Sequence, residues 1–144
     1  MARPATGTVL QGGRAKAYRP ISAGERQTAY RAALAAYDRG DFFLAHELLE
    51  PAWMGTDDLP ERELYQGLIK LAAAFVHGVR GNPRGIAKNL EGARPRLVAA
   101  LDAGWTGGLE LTELLADIDA LLAVLATDSD PSSIDPPQLR RTTQ

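Results

Sequence analysis

No cysteine occurs among the 144 residues, and histidine occurs only twice. The first absence removes disulfide scaffolds, zinc fingers, thiol nucleophiles and iron–sulfur clusters together. A chain of this length buries roughly 68–70% of the surface its unfolded form exposes, so a stable core needs no covalent staple. Long apolar runs are missing as well. None reaches the ~18 residues of a membrane span, and the amino terminus lacks the basic-then-apolar order of a secretory signal. The expected setting is the cytoplasm, with no membrane role. A strong charge of one sign is also lacking, because 16 basic residues face 18 acidic ones for a net −2. That balance argues against gripping nucleic acid, which requires a dense basic footprint. What is present, 45% hydrophobic and 24% charged residues, is the composition of one ordinary soluble domain.

The charge is uneven along the chain. Residues 1–21 hold Arg3, Arg14, Lys16 and Arg19 with no acid, among glycines and prolines, and read as a flexible basic arm. Residues 127–144, with Pro131, Pro136 and Pro137 among Ser and Asp, read as a flexible tail. Between them, residues 22–126 carry helical rather than strand periodicity. Ser22 and Glu25 form a capping-box pattern, so a first helix is expected from Ser22 to about Arg39. Gly40 stops it and Asp41 caps a second helix carrying Phe42, Ala45, Leu49 and Trp53, which Pro51 should kink or end. Asp57 or Asp58 caps a third, from about Glu61 to Arg80, with Leu64, Leu68, Leu71 and Phe75 on one face. Gly81 and Asn82 mark the passage to a fourth, in which Pro95 predicts a bend. A glycine-rich loop then leads to a fifth helix from about Thr112.

A weak repeat at an offset of 41 relates the two halves: Ala32, Arg39, Gly40, Leu49 and Glu50 recur as Ala73, Arg80, Gly81, Leu90 and Glu91. Each copy is a helix, an Arg-Gly turn and a helix. Two such units are too few for a solenoid. The expectation is therefore an all-α compact bundle of about five helices, built from two antiparallel hairpins and a closing C-terminal helix.

With cysteine absent, any site built on imidazole must use His46 or His77. On a helical wheel from Phe42, Leu49 falls at about 340°, Trp53 at about 20°, His46 at about 40° and Glu50 at about 80°. His46 thus falls within the core-facing stripe and Glu50 at its edge, one turn on. Glu47, at about 140°, is expected to point away. A part-buried imidazole and carboxylate need hydrogen bonds, a countercharge or a metal. The third helix offers a polar strip of Glu63, Gln66, Lys70, His77 and Arg80. Facing the second helix, it would bring Lys70 or His77 to Glu50 and Gln66 to His46. Facing water, it is a solvated side. Trp53 reads as core, with its indole donor satisfied by a carboxylate or carbonyl.

The runs GDFFLAHELLEPAW and RELYQGLIKLAAAFVHGVRGNPRG resemble the bacterial and archaeal family known as domain of unknown function 309, whose hallmark is His-x3-acid-x2-Trp or Tyr. Here His46, Glu50 and Trp53 meet it, and Gln66, His77, Gly81 and Asn82 fit the family's second segment. The similarity covers about residues 30–100 and implies a small all-helical protein of unassigned activity, with the histidine and acid as metal ligands. Pro51 and Lys70 depart from the family's usual residues, and an ammonium near the ligands opposes a divalent cation.

Two readings follow. One is a divalent metal ion held by His46, Glu50 and His77 between the second and third helices, for which imidazole plus carboxylate suits zinc, manganese or iron. The other is a structural network of His46, Glu50, Gln66 and Lys70 that docks the hairpins. Function would then lie with a protein partner or self-association, for which Leu44 and Leu48 offer a second surface. No glycine loop follows a strand to cradle phosphate, and no serine stands in a nucleophile elbow. Whether the chain is an enzyme stays open.

Overall fold

Each of the first three helices begins where a short polar side chain takes up an amide that the helix leaves orphaned. The computed structural model describes residues 7–11, 13–78, 83–127 and 134–142, with the side chains of 77 and 78 outside that description. Helix α1 spans Ala23–Asp38, and the Ser22 hydroxyl accepts from the Glu25 amide at 3.1 Å. Helix α2 spans Phe42–Met54, with the Leu44 amide donating to Asp41 at 3.2 Å. Helix α3 spans Leu59–Gly78, with the Glu61 amide donating to Asp58 at 3.1 Å. Helices α4 (Pro83–Asp102) and α5 (Leu111–Thr127) complete the set. The Arg80-Gly81 turn and the Asn82 cap lie outside the described residues.

The all-α expectation holds: α1 pairs with α2, α2 with α3, α3 with α4, and α4 with α5. Leu34, Leu49, Leu64, Leu68, Leu71, Ile86, Leu90, Leu97 and Ile118 fill the space between them, each at most 6% exposed. An aromatic chain crosses that core, Tyr37 meeting Phe42 edge-on with centroids 5.1 Å apart and Phe42 meeting Phe75 at 5.7 Å. No described helix is long and apolar enough to cross a membrane.

Three local expectations give way. Of the two outcomes expected at Pro51, a kink or an end, the end does not occur: α2 runs three residues beyond it to Met54. The proline stands in the last turns, where packing of Leu49 and Ala52 on the core outweighs one lost backbone bond. Second, residues read as a flexible arm form an antiparallel hairpin, β1 (Gly7–Gln11) against β2 (Arg14–Tyr18). Its two-residue turn needs a left-handed residue, and Gly13 supplies one at φ +78°. An isolated hairpin is marginal in water, but this one is anchored. Tyr18 is buried, and the Arg19 and Ile21 amides donate to Met54 and Gly55 carbonyls at 2.8 and 3.2 Å. Third, residues 134–142 of the expected tail lie along the bundle. Tyr37 donates to the Pro137 carbonyl at 2.7 Å, Leu139 is buried, and the Glu110 and Thr142 amides join this segment to the α4–α5 loop.

The approach of α3 to α4 depends on Gly67. A Cβ there would lie 2.7 Å from Leu97 Cδ2 and 3.3 Å from Arg96 Cβ. Alanine is favoured over glycine by ~1 kcal/mol in a helix, yet overpacking costs ~1–3 kcal/mol. The steric term wins, so Gly67→Ala should lower stability in urea unfolding. An unchanged or raised midpoint would contradict this packing.

Candidate functional site

Along α2 the fully buried stripe is Ala45, Leu49 and Ala52, and the Asp41 cap fixes its phase. His46 lies one residue round from that stripe, so the imidazole occupies its flank rather than its middle, with the side chain 27% exposed. Nε2 lies 3.5 Å from Glu50 Oε1, one turn along the helix. Nδ1 lies 3.4 Å from Glu47 Oε1. Glu47 therefore does not point away as the wheel suggested: its exposed, three-torsion side chain curls back to the ring, which a wheel of Cα directions does not record. The three groups lie within 4.8 Å of one another and could hold a metal ion. His77 belongs to α3, but its side chain lies outside the described residues.

Trp53, Gln66 and Lys70 are engaged elsewhere. Gln11, at the tip of the hairpin and only 2% exposed, is inserted between α2 and α3. Its amide nitrogen donates to Gln66 Oε1 at 2.6 Å and to Glu63 Oε1 at 2.8 Å. Its carbonyl oxygen accepts from Trp53 Nε1 at 3.0 Å and from Arg62 Nε at 3.1 Å. Every hydrogen-bonding site of the carboxamide is thereby used. Gln66 thus bonds the hairpin rather than His46, and the Trp53 donor finds an amide oxygen.

Arg62 is wholly buried. Beyond Gln11, its Nη1 donates to the Trp53 and Thr56 carbonyls at 3.1 and 2.9 Å, and Nη2 to the Ala17 carbonyl at 3.4 Å. Its guanidinium carbon lies 5.3 Å from the centroid of the Trp53 ring. Burial depresses the Arg62 pKa, while Asp57, Glu63 and Tyr18 oppose that shift. Beside it, Glu61 is 4% exposed and accepts from Arg26 at 2.8 Å, Thr56 at 3.0 Å and Tyr65 at 2.7 Å. Burial, and then donation to Glu61, raises the Tyr65 pKa.

Gln11, Arg62 and Glu61 do not stand out in the sequence as site residues. A signal existed for two of them: Glu61 stands one turn before Leu64 and Arg62 one turn before Tyr65, so both extend apolar stripes into the first turn of α3. Gln11 carried no such signal. Lys70 lies away from His46 as well, in a groove against α4 with Arg96.

The architecture defines a class first: an all-α bundle of paired helical hairpins with a closing helix. Residues 30–89 match the model of the family described as Domain of unknown function (DUF309), so this helical segment is similar to that family. The matched segment contains His46, Glu47, Glu50, Trp53, Arg62 and Gln66, but neither Gln11 nor Arg96. No curated protein matches the chain.

Removing the Gln11 carboxamide strands buried partners on α2 and α3. Gln11→Ala should cost about 1–3 kcal/mol in denaturant unfolding, with a red shift of tryptophan emission as Trp53 is wetted. A variant with the parent's midpoint and spectrum would show that the hairpin tip does not hold this network together.

Proposed function

We propose that α2 carries a divalent metal site, with His46 Nε2 and the Glu50 carboxylate as ligands and Glu47 as the group that orients the imidazole through Nδ1. The donor set fits the group: one imidazole and one carboxylate suit zinc, manganese or iron. The observation that carries the reading is the 3.5 Å separation of Nε2 from Glu50 Oε1. It is loose for a charge-assisted hydrogen bond, which closes to about 2.7–2.9 Å. It is close to the roughly 3.3 Å between two ligand atoms on one tetrahedral ion. A carboxylate on the far nitrogen of a ligating histidine fixes its tautomer and raises its basicity, and Glu47, 3.4 Å from Nδ1, is placed to close into that part when the ion binds.

The half-exposed position leaves the remaining coordination to water or to a ligand from outside the helix. A bound ion of this kind would act as a Lewis acid on that ligand. The chain's own contribution is to present the two donors one turn apart and keep the ring from rotating. The buried network around Arg62 has a different part, holding the hairpin and the ends of α2 and α3 in place.

Isothermal titration of tag-free protein with zinc and manganese tests the reading. One ion per chain is expected, with binding lost in His46→Ala and Glu50→Gln. Glu47→Gln should weaken affinity about 10–100-fold, as removal of an orienting group does. Absence of binding by the parent, or a His46→Ala variant that binds as tightly, would refute the assignment.

A further inference from the structure

A groove of about 550 Å³ runs between α3 and α4, lined by Glu63, Lys70, Gly92, Pro95, Arg96 and Ala99. Lys70 enters it across Gly92. A Cβ at that glycine would lie 3.0 Å from Lys70 Cδ and 3.6 Å from Nζ. Glycine is unfavourable within a helix relative to alanine, and here it leaves the space that the lysine stem occupies. The ammonium is brought into a place hostile to it. Burial lowers its pKa, and Arg96, Lys16 from the hairpin and Lys88 lower it further. Glu63 is the carboxylate of this groove, and it is already engaged by Gln11 at 2.8 Å and by Arg96 Nη1 at 3.1 Å. Among the described residues no acid pairs with Lys70. Two cations, Lys70 and Arg96, therefore line the groove with one committed carboxylate between them, and Lys16 and Lys88 add to the repulsion on Lys70, an arrangement that repels itself when empty of anion and becomes favourable around one.

We propose that this groove binds a small phosphate-bearing anion, with Lys70 and Arg96 as its direct contacts and Lys16 and Lys88 supplying the surrounding field. Lys70 offers three ammonium donors, and Arg96 retains guanidinium donors beyond the Nη1 that serves Glu63. A doubly charged phosphate accepts several such bonds at once, and charge-assisted bonds to it are the strong kind. The site is distinct from the α2 cluster and does not require a metal there.

Calorimetric titration of the full chain with inorganic phosphate and with glycerol 3-phosphate, each against chloride at equal ionic strength, is the test. Phosphate should bind, with Lys70→Gln and Arg96→Gln each weakening it by about tenfold or more. Lys70→Arg should largely preserve binding. Arg94→Gln, which breaks an exposed pair with Asp119, should leave it unchanged. Binding of glycerol 3-phosphate as well would make a phosphomonoester the ligand, and binding of phosphate alone would make it the free ion. In chloride, Lys70→Gln should melt no lower than the parent, because it removes an unpaired charge rather than a contact. No heat beyond that of chloride, or unaltered phosphate affinity in Lys70→Gln, would overturn the proposal.

Discussion

The buried guanidinium of Arg62 is the constraint around which the remaining polar structure is arranged. A cation taken wholly out of water costs several kcal/mol unless its donors are met, and Arg62 meets that demand with oxygens from four separate places: Gln11, Ala17, Trp53 and Thr56. Those four positions are the hairpin tip, the second strand, the end of α2 and the loop before α3. Once all must reach the same planar group, their relative positions are set within hydrogen-bond tolerance. Glu61, next in the chain, adds α1 to the arrangement through Arg26.

The hairpin follows from this. Residues 7–18 include few large apolar groups and would not hold a sheet unaided. What secures them is chiefly polar: a carboxamide satisfied on both ends, backbone bonds to the end of α2, and Ile21 seated over Gly55, where a Cβ would lie 2.5 Å from Ile21 Cγ1. The composition of the segment argued for a free arm because hydrophobic content measures only one of the ways a segment can be held. A single glutamine placed over complementary partners does not register in composition or charge.

The sequence made much of the helical framework legible. Caps at Ser22, Asp41 and Asp58 and the stripes through Leu64 and Leu90 are local signals, repeated along each element and reinforced by the family match over residues 30–89. The site was legible only in part. His46 and Glu50 are a turn apart in any helix, so their meeting could be read from spacing. Glu47 joined them through torsions that spacing does not encode. Gln66 and Lys70 were read as part of a polar strip on α3 and Trp53 as core with a donor to satisfy, but the partner of Gln66 and Trp53 lies 42 to 55 residues away, and Lys70 meets the cations of α4 and the hairpin instead of an acid. Polar networks are decided by tertiary contact, and a helical wheel gives the direction of a side chain without the identity of what it meets.

Completeness of pairing separates what holds the fold from what is available for binding. Around Arg62, Gln11 and Glu61 the buried groups have their partners, and among the described residues no buried side-chain nitrogen or oxygen is left unsatisfied. Such a network has nothing to offer a ligand without first being broken. The His46 cluster and the Lys70 groove differ in this respect. In the first, imidazole and carboxylates approach to 3.4–3.5 Å without closing into hydrogen bonds. In the second, Lys70 has no acid partner among the described residues while the nearby Glu63 carboxylate serves Gln11 and Arg96. Both are half-exposed, and both lie on helices whose inner faces are fixed by close packing. A rigid scaffold that completes its interior and leaves two opposite kinds of charge unmatched at its surface keeps those groups poised without spending stability on them. The Gln11 clamp contributes to this separation, because it commits Trp53, Gln66 and Glu63 to the interior network.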